Sequence, residues 1–144
     1  MNEIEISERR RWLTDAHSNS RREYALLHLS THGLLLQLDV DRAFLAGAWA
    51  SVIVMAQSVI EATLRDLQTF DYAQKAKDLF LGQEDLERLR FIRNEIIHAQ
   101  APGTPSIVWI ASNGDFQKCH AALEPEAKRA YELMLEAIYA NCED

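Results

Sequence analysis

The sequence predicts a mainly α protein, an up-and-down helical bundle with one small β-hairpin near residues 106–119. Apolar residues recur at helical spacing along most of the chain, capping residues mark the breaks, and the period changes to that of strands only in that one stretch. With 144 residues, 48% of them hydrophobic and 26% charged, the chain has the size and balance of one globular unit, so residues 1–144 are expected to form a single helical domain.

Ser7 to about Leu38 reads as helix in two pieces, because Ser18, Asn19 and Ser20 interrupt the pattern and offer caps for a restart; Gly33 is placed to bend the second piece. Asp39 or Asp41 can cap the next helix, expected from about Arg42 to Leu67 with Phe44, Trp49, Val52, Met55, Val59, Ile60 and Leu64 at helical spacing. A short helical stretch over Ala73 to Phe80 is closed by Gly82, and Gln83 to Ala99 forms a further helix ending before Pro102. Ser106 to Ala111 is then a β-branched and aromatic run, Asn113-Gly114 is a hairpin signal, and Phe116 to Cys119 supplies the return strand. Glu124 to Ala140 closes the chain as a helix with Ala127, Tyr131, Leu133, Met134, Leu135 and Ile138 on its apolar face.

Charge and composition narrow the function. A net charge of −7 argues against a surface that holds nucleic acid by charge alone, since Lys and Arg normally supply most of that affinity. The one basic region gathers Arg9, Arg10, Arg11, Arg21 and Arg22 near the N-terminus, and a solvated helix face is its ordinary explanation. Cys119 and Cys142 have neither zinc-site spacing nor the density of a disulfide framework, and the N-terminus lacks the basic start and apolar run of a signal peptide; a cytoplasmic protein is expected. Ala43 to Ile60 carries no charge and reaches spanning length, but Gly47, Ser51, Gln57 and Ser58 dilute it, so it is read as a buried central helix or one side of an oligomer interface, and no membrane partner is expected.

The helix from Gln83 to Ala99 carries the chemistry. At about 100° per residue, Leu86, Leu89, Ile92, Ile96 and Ile97 share one arc, with Arg93 inside it, while Arg90, Asn94 and His98 form a polar stripe at its edge with Phe91 beyond. A guanidinium on an apolar arc needs a partner: Glu61 of the central helix, or a ligand phosphate. A buried Arg–Glu pair that only fixes helix register fits the same pattern. His98 sits at the helix C-terminus, where the dipole favours an imidazolium suited to acid–base work, or equally a capping cation with no further role.

The run Leu89-Arg90-Phe91-Ile92-Arg93-Asn94-Glu95-Ile96-Ile97-His98-Ala99 closely resembles the signature of HEPN domains, an Arg followed by a polar residue and, a few positions on, a His. Val52 to Leu67, with Ala56, Ile60, Glu61, Leu64 and Asp66, resembles the long helix that precedes that signature, so the likeness covers roughly residues 42–99. Arg11 to His17 and Arg22 to His28 have similar spacing, but Trp12 and Glu23 follow their arginines where the motif has a polar, uncharged residue.

The resemblance implies a small helical bundle that forms a homodimer around one cleft, and a metal-independent endoribonuclease acting as a toxin or defence effector. Arg93 would hold the scissile phosphate, Asn94 would orient the site, and His98 would deprotonate the ribose 2′-hydroxyl or protonate the leaving oxygen, with Glu61 and Arg90 in support. Neither a metal nor another cofactor is expected, which agrees with the lack of a ligand cluster in the sequence. Some HEPN toxins carry a Tyr two residues after the His, where a partner nucleotidyltransferase silences them; Gln100 stands there instead, so an antitoxin or regulatory protein of that kind is in doubt. The alternative expectation is a non-catalytic HEPN-like dimer that binds a protein or a nucleotide.

Overall fold

The computed structural model describes residues 2–20, 31–67, 84–98 and 114–139, which form six helices and, among these residues, no strand. In chain order they are α1 (Glu3–Ser20), α2 (Thr31–Leu45), α3 (Trp49–Leu67), α4 (Glu84–Ile97), α5 (Phe116–Ala122) and α6 (Glu124–Ile138). The expected helix at Ala73–Phe80 and the strand at Ser106–Ala111 lie outside the described residues. No helix among the described residues is long and apolar enough to cross a membrane.

Each helix begins or ends for a local reason. Asn2 starts α1 earlier than the expected Ser7: its Oδ1 accepts the Glu5 N–H at 2.8 Å, and Glu5 Oε2 accepts the Asn2 N–H at 3.3 Å, a reciprocal capping box. The expected helix from Arg42 to Leu67 is in fact two helices. Gly47 (φ 70°) closes α2, with its N–H bonded to Phe44 O at 3.0 Å and the Ala48 N–H bonded to Ala43 O at 2.8 Å, the pair of bonds that makes a Schellman stop. Glycine suits that positive φ, and a Cβ there would also displace the tip of the Arg9 side chain, which it would meet at 2.9 Å. Arg9 itself donates to the Leu45 carbonyl at 3.2 Å and lies over the Trp49 ring, so α1 seals the end of α2. Asp39 and Asp41, expected as caps, lie inside α2.

The return strand expected at Phe116–Cys119 is helical. Asp115 takes an extended backbone and accepts the Gln117 and Lys118 N–H groups at 2.9 and 3.2 Å, an N-cap worth about 1 kcal/mol, so the turn at Gly114 (φ 79°) feeds a helix rather than a strand. Leu123 then links α5 directly to α6, whose first turn holds Pro125.

Helix α3 is the centre of the bundle, packed on α2, α4, α5 and α6, while α1 lies across α2 and α6. Val52, Ile53, Ala56, Val59 and Ile60 of α3 join Val40 and Phe44 of α2, Leu86, Leu89 and Ile92 of α4, and Tyr131, Leu133, Met134, Leu135 and Ile138 of α6 in one buried cluster. Burial of each such side chain contributes about 1.5–3 kcal/mol. Most apolar residues of α3 are thus covered within the one chain, while Val54 and Met55 stay half-buried. Trp12 of α1 stacks on Phe44 with ring centres 4.8 Å apart and meets Tyr131 edge-on at 5.8 Å, which docks α1 on the bundle.

One half-buried polar network lies at the edge of this core. The Tyr131 hydroxyl lies 2.6 Å from Asp41 Oδ1 and 2.9 Å from His17 Nε2. A carboxylate only accepts, so the phenol donates to Asp41 and the imidazole Nε2–H donates to the phenol; His17 Nδ1 faces the Tyr139 hydroxyl at 3.4 Å. Burial first, then the hydrogen bond to Asp41 and its charge, push the Tyr131 phenol well above its ordinary pKa. The network ties α1, α2 and α6 together with its buried donors satisfied.

Candidate functional site

Helix α4 presents its apolar arc to the core much as expected: Leu86, Leu89 and Ile92 are buried and Ile96 packs partly against the same cluster. Ile97, expected on that arc, is 51% exposed, because it lies at the last residue of the helix beyond the end of the covered face. The opposite face carries Phe91, half exposed.

The helix is pinned to α6 by charges. Arg129 reaches Asp85 Oδ2 at 2.6 Å, and Arg88 pairs with Glu126. Arg90 turns to Glu87, with Nη1 2.7 Å from Oε1, rather than toward Asn94 or His98. These contacts are exposed or partly so and each contributes little to stability, but together they engage Arg88 and Arg90.

Arg93 makes the ion pair expected of it. Its Nη1 donates to Glu61 Oε1 at 3.1 Å across the α3–α4 interface, with the two side chains 23% and 36% exposed. Nε and Nη2 both donate to Asn94 Oδ1, at 3.3 and 3.1 Å. Three of the five guanidinium N–H groups are therefore used, and the other two meet no acceptor among the described residues. The His98 backbone N–H donates to the Asn94 carbonyl at 2.9 Å, which continues the α4 spiral one turn past Asn94. Its imidazole is exposed and forms no side-chain hydrogen bond among the described residues. Glu61, Arg93 and Asn94 are thus one bonded group at the end of α4, with His98 beside it on the same helix end and Arg90 outside it.

A residue that sequence reasoning missed lies behind this group. Gln57, fully buried on α3, donates from Nε2 to the same Glu61 Oε1 at 3.3 Å, while its own Oε1 has no partner among the described residues. An unpaired buried carbonyl costs about 1–3 kcal/mol. The signal was present as an amide one helical turn before Glu61 in an otherwise apolar run, but in sequence it counts only as dilution of hydrophobicity.

The two other motif-like spacings differ. His17, the end of the Arg11 to His17 spacing, has both ring nitrogens facing tyrosine hydroxyls in the half-buried network. Arg22 and His28 lie outside the described residues. In comparison with known proteins, the chain matches no family model, no curated protein and no solved structure.

Proposed function

We propose that this protein is a HEPN-type, metal-independent endoribonuclease, a toxin or defence effector that works as a homodimer. The observation that carries the reading is the contrast at the end of α4, where, among the described residues, Arg93 is held by Glu61 and Asn94 with N–H groups to spare while the neighbouring His98 imidazole is exposed and unengaged. In the proposed reaction the ribose 2′-oxygen attacks phosphorus and the P–O5′ bond breaks, leaving a 2′,3′-cyclic phosphate and a 5′-hydroxyl. His98 takes the 2′ proton or gives one to the departing 5′-oxygen, and Arg93 holds the phosphate as its charge develops. Phe91 and Ile97, half exposed on either side of Asn94 in the sequence of α4, support dimerisation through this face.

Incubation of the purified protein with total RNA and a chelator tests the reading. Cleavage to 2′,3′-cyclic ends, absent in His98→Ala, is expected; cleavage that survives His98→Ala or stops with chelator refutes the mechanism. Sedimentation should show a dimer at tens of micromolar, as an order of magnitude for such interfaces.

A non-catalytic HEPN-like module that binds a protein or nucleotide is the second reading. It is favoured by the net charge of −7 together with the pairing of Arg88 and Arg90 to carboxylates, which leaves α4 little free positive charge for RNA. A folded dimer that cleaves no RNA selects it.

A further inference from the structure

We infer that Gln57 is a positioning residue for Arg93, acting through Glu61; its importance for RNA cleavage rests on the reading of Arg93 as the phosphate-holding group. The Gln57 amide and the Arg93 guanidinium donate to one and the same oxygen, Glu61 Oε1, at 3.3 and 3.1 Å. From the solvent side Glu61 is loosely held, since its side chain is 36% exposed and has several rotatable bonds. From the core side it is held by an amide that is itself fully buried and cannot follow it outward.

Packing alone does not account for an amide at this position. An ionised carboxylate only accepts hydrogen bonds, so Gln57 must turn Nε2 toward Glu61, and this turns Oε1 to a place where no donor among the described residues meets it. A methionine would fill similar volume without that unpaired carbonyl. The gain that offsets the unpaired atom lies at Glu61: the carboxylate is fixed at one rotamer, and the guanidinium bonded to it is presented in one orientation at the end of α4. The order of support runs from the buried amide to the carboxylate to the guanidinium, and Asn94 holds the other edge of the guanidinium.

Side-chain NMR of the full chain tests this directly. In Gln57→Met the Arg93 Nη1–H that bonds to Glu61 should exchange with solvent about tenfold faster than in the wild type, the loss of roughly one hydrogen bond's restraint, while the melting temperature stays equal or rises. RNA cleavage should fall in step with that loosening. An Arg93 Nη1–H that exchanges at the wild-type rate in folded Gln57→Met overturns the proposal. Glu61→Leu gives an independent reading that does not depend on that variant folding: the Gln57 side-chain amide cross-peak moves if the carboxylate holds it, and an unmoved cross-peak overturns the proposal as well. Both NMR effects in the two variants, together with no RNA cleavage by the wild type, retire the ribonuclease reading and support the positioning role of Gln57.

Discussion

Two Arg and His pairs of similar spacing end in opposite circumstances. His17, six residues after Arg11, faces Tyr131 and Tyr139 with its two ring nitrogens and is part of a half-buried network that joins three helices. His98, five residues after Arg93, bonds through its backbone to Asn94 and presents an exposed ring that is unengaged among the described residues. The polar groups around Tyr131 bond to one another, whereas among the described residues the group around Arg93 keeps spare donors and the amide behind it has an unpaired carbonyl. Spacing is thus a poor marker of a site. What separates a structural histidine from one free to do chemistry is whether the fold has already used its hydrogen bonds.

The comparison can be broken first at its buried end. Tyr131→Phe should cost about 3 kcal/mol in chemical denaturation, because it leaves the Asp41 carboxylate and the His17 Nε2–H without their partner. The pH dependence arises from the same phenol. Its pKa in the folded state is raised above the ordinary value of about 10, so its contribution to stability is complete below that pH and fades as pH rises beyond it. Tyr131→Phe should lack this alkaline loss. A Tyr131→Phe protein as stable as the wild type would show that the network does not hold α1, α2 and α6 together.

A smaller effect is expected at the histidine of that network. His17→Ala should lower stability by about 1–2 kcal/mol, with the remaining phenol still bonded to Asp41, and should leave any RNA cleavage intact at temperatures where the protein is folded. Smaller again is Arg93→Ala, about 1 kcal/mol, since its pair with Glu61 is partly open to water. Arg93→Lys should recover part of that stability and little of the cleavage, because an ammonium lacks the planar fork that grips both Glu61 and a phosphate. The smallest stability change, within about 0.5 kcal/mol, belongs to His98→Ala, whose side chain is exposed and bonds to nothing among the described residues; a melt in denaturant that shows more would mean that His98 is structural after all.

The parts of this picture that could be read in sequence were those set by local pattern or by charge accounting. The apolar face of α6 and the core arc of α4 come from spacing, and Glu61 could be named as the partner of Arg93 because a guanidinium among isoleucines and leucines demands a carboxylate nearby. The stop at Gly47 was hidden because a glycine between two alanines looks like a continuation of an apolar helix until its positive φ is seen. Asn113-Gly114 read as a hairpin because turn residues mark a reversal without fixing the type of the next element, and Asp115 decides for a helix by capping it. His17, Asp41 and Tyr131 meet across 90 and 114 residues of chain, a juxtaposition that only the packing of α1 on α2 and α6 creates. The support of Glu61 by Gln57 was one turn away in sequence, yet its direction depends on the burial that turns the amide toward the carboxylate.

The central claim, that the unengaged histidine at the end of α4 and not the engaged one on α1 does the chemistry, is tested most directly by RNA cleavage with wild-type, His17→Ala and His98→Ala proteins, each below its measured melting temperature and in the presence of a chelator. The account predicts that the wild type and His17→Ala both release fragments ending in a 2′,3′-cyclic phosphate and that His98→Ala releases none. Cleavage retained by His98→Ala, or lost by folded His17→Ala alone, would contradict it.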